Sequence, residues 1–439
     1  MLFDPAAQPF FTLVTTFVFA PFLASRVASD PAEGQALWGY ATGAAGLIIA
    51  ILSPVFGAIA DAAGPRKPWI AGFSVLLVAG SAALWYAVPG EPDAVTIALL
   101  AFAVGTIGAE FATVFTNAMM PDLVPEEKLG RLSGIGWGVG YIGGLISLVI
   151  TLGLLAGRPE TGRTFFGLVP LFGLDPATGG GDRASGPFSA IWYVVLVLPL
   201  FLFTPDVPRR MGLGAALRTG LADLAATLRS VRRHANAARY LAANMVYTDG
   251  LIALTVFGGI YAAGTFGWNA VQLGLFGILL TITGTIGALS GGWLDDWLGP
   301  KWVVQVSLIV FILASLAILS IDVDHVGFIF KVAPPAPGES LFAAPGEKAY
   351  LVLGAVIGAV AGPLQAASRT LMVRVAPRER MTQFFGLYAL TGKATSFVAP
   401  GLVAIVTDWS QSQRVGISVL VLFFAGGLWL MGRVRPERD

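Results

Sequence analysis

Four ionisable residues stand inside long apolar stretches of this chain: Glu110, Asp249, Arg369 and Lys393. A charge placed that deep in hydrocarbon is costly unless it is used or paired, so each is a functional candidate. Two acids and two bases admit two readings. As ion pairs they would neutralise one another and fix helix packing. As a working set, one acid would take up a proton in one conformation, while the bases held a carboxylate or partnered the acids. Asp249 is the first choice of proton carrier, because Gly250 beside it can open a helix locally; Glu110 is the second. Such a set also suits a zwitterion, which needs an anionic and a cationic partner.

Neighbouring polar residues extend the pattern. Glu110, Thr113 and Asn117 are three and seven residues apart and share a helical face. Gln365 and Arg369, four apart, share another. Asn244 and Tyr247 lead into Asp249, Tyr388 and Thr391 lead into Lys393, and Gln8, Thr12 and Thr15 mark the first apolar stretch.

The elements that must position these groups are membrane spans. Of 439 residues 56% are hydrophobic and only 12% charged, against about 25% charged in a soluble domain. Mean hydropathy is +0.76. Apolar runs near 8–26, 36–60, 69–88, 94–120, 132–156, 187–204, 238–263, 270–294, 302–320, 349–373, 384–407 and 414–432 are each long enough to span. They make two sets of six, 1–204 and 238–439, joined by a basic linker, 205–237. Eighteen Lys and Arg residues fall on one side of this topology and seven on the other, which places both termini in the cytoplasm of a cell inner membrane. In the linker Leu213, Leu217, Leu221, Leu224, Leu228 and Val231 recur at helical spacing with arginines opposite, the pattern of a helix lying along the membrane surface. The opening residues carry an acid and no Lys or Arg, so the first span is expected to be retained rather than cleaved as a signal peptide. A net charge of +1 argues against nucleic acid as a partner, and with no cysteine there is no disulfide or thiolate metal site.

One short stretch occurs twice. Gly57-Ala-Ile-Ala-Asp61-Ala-Ala-Gly64-Pro-Arg66-Lys67 returns as Gly292-Trp-Leu-Asp-Asp296-Trp-Leu-Gly299-Pro-Lys301, with a constant offset of 235 residues (57 to 292, 61 to 296). In each copy the first glycine permits close helix approach. The aspartate sits at a membrane edge, where it can face the positive N-terminal end of another helix. The basic residues suit an anionic cytoplasmic surface. A second echo pairs Val124-Pro125-Glu126-Glu127 with Ala376-Pro377-Arg378-Glu379, offset by 252 residues (125 to 377). By that offset Thr113 corresponds to Gln365 and Asn117 to Arg369. Duplicated helix sets with polar stripes on equivalent helices point to a site at the repeat interface.

The repeated G-x-x-x-D-x-x-G-basic pattern resembles the loop between helices two and three of the major facilitator superfamily and its pseudo-repeat between helices eight and nine. Pro65 and Pro300 stand where that family usually has a basic residue. Within the superfamily, Phe3-Asp4-Pro5-Ala-Ala-Gln8, Asn117-Ala-Met-Met-Pro-Asp122, Gly136-Trp-Gly-Val-Gly140-Tyr, Tyr247-Thr-Asp249-Gly250, Gln365-Ala-Ala-Ser-Arg369 and Phe384-Phe-Gly-Leu-Tyr388-Ala-Leu-Thr-Gly-Lys393 are similar to signatures of the vacuolar-effluxer-like branch. The resemblance implies an all-α integral membrane protein of twelve transmembrane helices in two pseudo-symmetric halves. It implies that Gly57, Asp61, Gly64, Arg66, Lys67, Gly292, Asp296, Gly299 and Lys301 form gating latches. It further implies a secondary transporter working by alternating access; eukaryotic relatives export amino acids from the vacuole. The first, fourth, seventh, tenth and eleventh helices would line the cavity, and the third, sixth, ninth and twelfth would face lipid.

The expected partners are a small-molecule substrate, protons and the bilayer, with no cofactor and a monomeric state. A competing class is a non-transporting scaffold, with a plugged cavity, a latch that never opens and the basic linker as partner surface. An enzyme is disfavoured, since no nucleophile with its base and no phosphate loop occurs. Asp322, Asp324 and His325 on the 321–348 loop make only a weak metal candidate.

Overall fold

The computed structural model describes residues 1–29, 31–159, 161–229, 234–268, 270–332 and 341–435. Among these, twelve helices are long and apolar enough to cross a membrane. They are α1 (Phe3–Val27), α2 (Pro31–Ala63), α3 (Lys67–Ala83), α4 (Ala94–Ala118), α5 (Leu129–Ile150), α6 (Gly180–Phe203), α7 (Ala235–Phe266), α8 (Ala270–Leu298), α9 (Pro300–Leu319), α10 (Pro345–Val375), α11 and α12 (Gln413–Gly432). Each falls on one of the twelve apolar runs. Helix α11 is in two pieces, Met381–Ala394 and Val398–Ser410.

Prolines explain where the helices depart from regularity. Pro21 has no N–H for the carbonyl of Phe17, and α1 widens into π-type turns over Phe10–Phe17 and Leu23–Val27. Pro400 likewise cannot donate to Ser396. The chain turns over 395–397 and restarts as a new helix with Pro400 in its first turn, where a missing N–H costs little. Helix α7, by contrast, runs unbroken through Asp249-Gly250. The local opening anticipated at Gly250 is therefore found in α11, and Gly250 instead lets Phe423 and Phe424 of α12 approach.

The residues divide into two compact units that are not contiguous in sequence. One holds Met1–Leu123, Val139–Leu224 and Glu379–Ala389; the other holds Val124–Gly138, Ala225–Arg378 and Leu390–Asp439. Small residues explain why the exchanged segments dock where they do. In the first unit the backbone of Thr382 and Gln383 lies against Gly57, and that of Ser53 and Pro54 against Gly386. In the second, Gly130 and Gly134 lie against Gly292, and Gly134 also meets Ala288. These two crossings are equivalents under the 235 and 252 offsets.

The linker forms a helix over Leu213–Arg229. Ala216 and Leu224 are buried, and Gly220 meets the backbone of Ala58 and Ile59 on α2, while Leu213, Leu217 and Leu221 stay exposed. The anticipated leucine stripe is therefore split: Gly220 docks on α2, Leu224 is buried, and three leucines stay exposed. The stretch 230–233, with Val231, Arg232 and Arg233, lies outside the described residues, as do 333–340 and Arg438.

The loop after α9 carries a hairpin of β1 (His325–Val326) and β2 (Phe330–Lys331). Asp322 anchors it, accepting from Arg414 at 2.8 Å and from the backbone N–H of Asp324 and His325. Burial is the largest single influence and opposes the charge, but these donors together outweigh it and hold the Asp322 carboxyl below its usual range. A carboxylate with a depressed folded pKa stabilises the fold above its unfolded pKa, about 3.9, and loses that contribution as pH falls.

Two expectations follow. Gly57→Val and Gly386→Val should each lower stability by about 1–3 kcal/mol through overpacking, read by thermal unfolding in detergent, whereas Gly72→Val, where nothing lies within 4 Å, should not. The amide-exchange protection that the native hairpin shows over an Asp322→Asn variant should be full above about pH 4 and fade below it.

Candidate functional site: two acid latches and a broken span

The residues expected to form the first latch meet at the C-terminal end of α2. Asp61 is buried, and its carboxylate accepts from the backbone N–H of Thr382 at 3.1 Å and of Gln383 at 2.8 Å. These are orphan donors of the first turn of α11, so a negative charge there satisfies two hydrogen bonds and the helix dipole together. Arg66 lies beside it, 3.7 Å from Asp61, and donates to the Thr382 hydroxyl at 3.0 Å and to Asp122 at 2.5 Å. Gly64 turns the chain with φ +105, a conformation that disfavours any side chain. The linker closes the assembly: Asp206 accepts from the backbone N–H of Arg66 and Lys67, Lys67 caps the Phe201 carbonyl, and Arg210 donates to the carbonyls of Ala63 and Asp61.

The second latch uses the same geometry with different charges. Asp296 accepts from the backbone N–H of Arg131, in the first turn of α5, at 3.1 Å, and the Arg131 guanidinium lies 3.7 Å away. Gly299 makes the corresponding turn with φ +87. Lys301 does not enter the latch; it reaches the Gly432 carbonyl at 3.3 Å. Arg378 pairs with Glu126 at 2.6 Å, joining two residues that the 252 offset makes equivalent.

In the second unit the break in α11 gathers polar groups at mid-span. Asp249 is 2% exposed, its Oδ1 has no hydrogen-bond partner, and Thr395 lies beside it. Asn244 is buried one turn away, donating to Thr391 at 3.5 Å and accepting from Thr248. Lys393, half-buried, ends the first piece of α11, and its carbonyl accepts from Ser396. Two other expected site residues are tied elsewhere. Tyr247 meets the Ser368 hydroxyl at 2.8 Å and pins α7 to α10. Arg369, 6% exposed, donates to the Ser133 hydroxyl at 3.0 Å and carbonyl at 2.9 Å and lies over the Trp137 ring. Its surroundings are those of a clamp between α10 and α5. Gln365 donates to Ala361 on its own helix.

In the first unit Glu110 and Thr113 are half-buried and Asn117 is buried on one face of α4, with Thr113 donating to Ala109. Tyr388 is half-buried against Phe385.

The residues that sequence reasoning missed are Asp206, Asp295, Ser133, Thr382 and Thr395. Pro400 was a legible signal for the break that positions Thr395. Nothing local marks Asp206 or Ser133 as holding Arg66, Lys67 and Arg369, which lie 139 or more residues away.

The architecture is that of a major facilitator superfamily transporter. A solved member, FucP in the outward conformation, superposes with TM-score 0.72 at 14% identity, covering 99% of this chain and 96% of that one. A family model described as "Vacuole effluxer Atg22 like" matches residues 33–131 and 126–439, and the chain belongs to that family. The uncharacterized MFS-type transporter YxiO of Bacillus subtilis (strain 168) is 23% identical over all of this chain and 94% of its own length. Autophagy-related protein 22-1 of Neosartorya fischeri is 25% identical over 75% of this chain, which spans about half, 52%, of that fungal relative. The chain is thus an MFS-type transporter and not an enzyme.

Asp61→Asn should weaken the two bonds to the start of α11, at a cost of about 2 kcal/mol. Faster labelling of a Gln383→Cys thiol, buried in the native chain, would register it.

Proposed function

We propose that the chain is a secondary transporter of a small zwitterion, an amino acid or a close analogue, that exports its solute by alternating access and couples transport to a proton on Asp249. The observation that carries this reading is the break in α11 beside Asp249. A discontinuous span frees backbone polar groups at mid-membrane, and there it sits next to a buried carboxylate with an unused oxygen. Lys393 supplies a cation for a substrate carboxylate, Asn244 and Thr391 supply neutral hydrogen bonds, and Glu110, Thr113 and Asn117 form the corresponding stripe of the other unit. The family description, that of an effluxer, agrees with an export role. Asp61 and Asp296 act as gating latches, because each holds a helix start by charge-assisted bonds that release without breaking secondary structure. The distribution of Lys and Arg supports cytoplasmic latch loops and termini in a cell membrane, and the chain works as a monomer. No observation favours a scaffold.

A ligand thermal-shift screen of amino acids and dipeptides on the purified chain, followed by counterflow in liposomes with the best ligand, tests the substrate class. A stabilising amino acid whose effect is lost in Lys393→Ala is expected; no shift and no counterflow with any of them would end the zwitterion reading. Asp249→Asn should abolish pH-driven uptake while leaving exchange within about threefold of native. Unchanged pH dependence would remove Asp249 from the proton role.

A further inference from the structure

The two latches differ in one respect that neither the repeat nor the proposed transport role accounts for. At the first, Arg66 is paired with Asp122 in the short helical turn (Met120–Leu123) that follows α4. Under the same offsets, Arg66 becomes Lys301 and Asp122 becomes Arg374 at the end of α10, so both positions of the second copy are cationic. Like charges cannot replace an ion pair. The second copy does carry one additional acid: Asp295, where the first copy has Ala60.

Asp295 is 1% exposed. Its Oδ2 accepts from the Thr370 hydroxyl, but its Oδ1 is buried and has no hydrogen-bond partner. Arg374, one turn beyond Thr370 on α10, acts on the Asp295 carboxylate only at longer range, and its Nε is likewise buried without a partner. Buried polar atoms are rarely left unsatisfied, and here one oxygen of an acid and one nitrogen of a neighbouring guanidinium both are. The start of α5 accompanies this: Gly130 packs on the side chain of Asp295 while the next residue, Arg131, is held by Asp296. The charged groups around the site are therefore Asp296, Arg131 and Arg374.

We propose that Asp295 and Arg374 are a counter-latch: they close into an ion pair when the start of α5 leaves the end of α8, and so stabilise the released conformation. In this pair Arg374 takes the position of Asp122 with its charge reversed, and Asp295, which replaces Ala60, supplies the acid in the other stage of the cycle. The two residues are positioning residues for transport and do not touch the solute. This inference rests on the alternating-access reading given above.

The chain has no cysteine, so an introduced thiol reports cleanly. Leu129, at the first residue of α5, is fully buried, and in Leu129→Cys the rate of labelling by a membrane-impermeant maleimide reads the release of that helix start. Adding Asp296→Asn should accelerate labelling at least tenfold. In that background Asp295→Asn should return the rate to within threefold of the latched protein, and the swapped pair Asp295→Arg with Arg374→Asp should restore fast labelling. Because Asp296 is already neutral there, simple repulsion between adjacent carboxylates cannot produce the effect. Asp295→Cys with Arg374→Cys should also cross-link several-fold faster under copper-phenanthroline once Asp296→Asn is present, a readout that does not depend on charge. No effect of Asp295→Asn, no restoration by the swap, or unchanged cross-linking overturns the counter-latch while leaving the latch itself intact. No acceleration by Asp296→Asn overturns the latch reading and the counter-latch with it.

Discussion

A buried carboxylate holding the first turn of a distant helix is the contact on which the rest of this structure depends. Asp61 takes two backbone N–H groups of α11, and Asp296 takes one from α5. In both cases the interaction is electrostatically favourable for a reason independent of sequence, since the start of any helix presents unpaired donors and a partial positive charge. The bond is strong enough to order a segment and needs only translation of the helix to break. Those properties suit a part that must alternate between held and released.

Close approach makes the contact available. Glycines at 57, 386, 134 and 292 let backbone meet backbone, so that a carboxylate of only two side-chain bonds reaches a neighbouring main chain. The linker adds a second constraint at the first latch, where Asp206 and Arg210 fix the turn at Gly64. The basic segment between the halves thus packs against the turn that carries Arg66 and Lys67. At the second latch the cation of Arg131 lies beside Asp296, while one oxygen of Asp295 and the Nε of Arg374 are buried without a hydrogen-bond partner. The duplication kept the geometry and let the charges diverge.

The polar cluster beside the break in α11 follows a different rule. Asp249, Asn244, Thr391 and Thr395 collect where α11 loses a turn of helix, and the break leaves polar groups that a continuous span would have satisfied internally. Arg369 and Tyr247, equally polar, are consumed by Ser133 and Ser368 and hold helices together. Polarity inside the membrane therefore marks two kinds of residue here, and only their partners separate them.

Apolar length alone determined the twelve spans, because hydrocarbon thickness sets a length that no packing detail alters. The repeated glycine and aspartate likewise exposed both latches, since a duplicated pattern in register carries its own control. Tertiary structure decided what those residues touch. That Asp61 meets Thr382, that Ser133 holds Arg369, and that Asp295 takes the Thr370 hydroxyl all depend on residues brought together from 75 or more positions apart. Periodicity fixes which face a residue occupies, whereas a partner is chosen by how two helices cross. That crossing is set jointly by small residues on both, and neither strand of sequence specifies it alone.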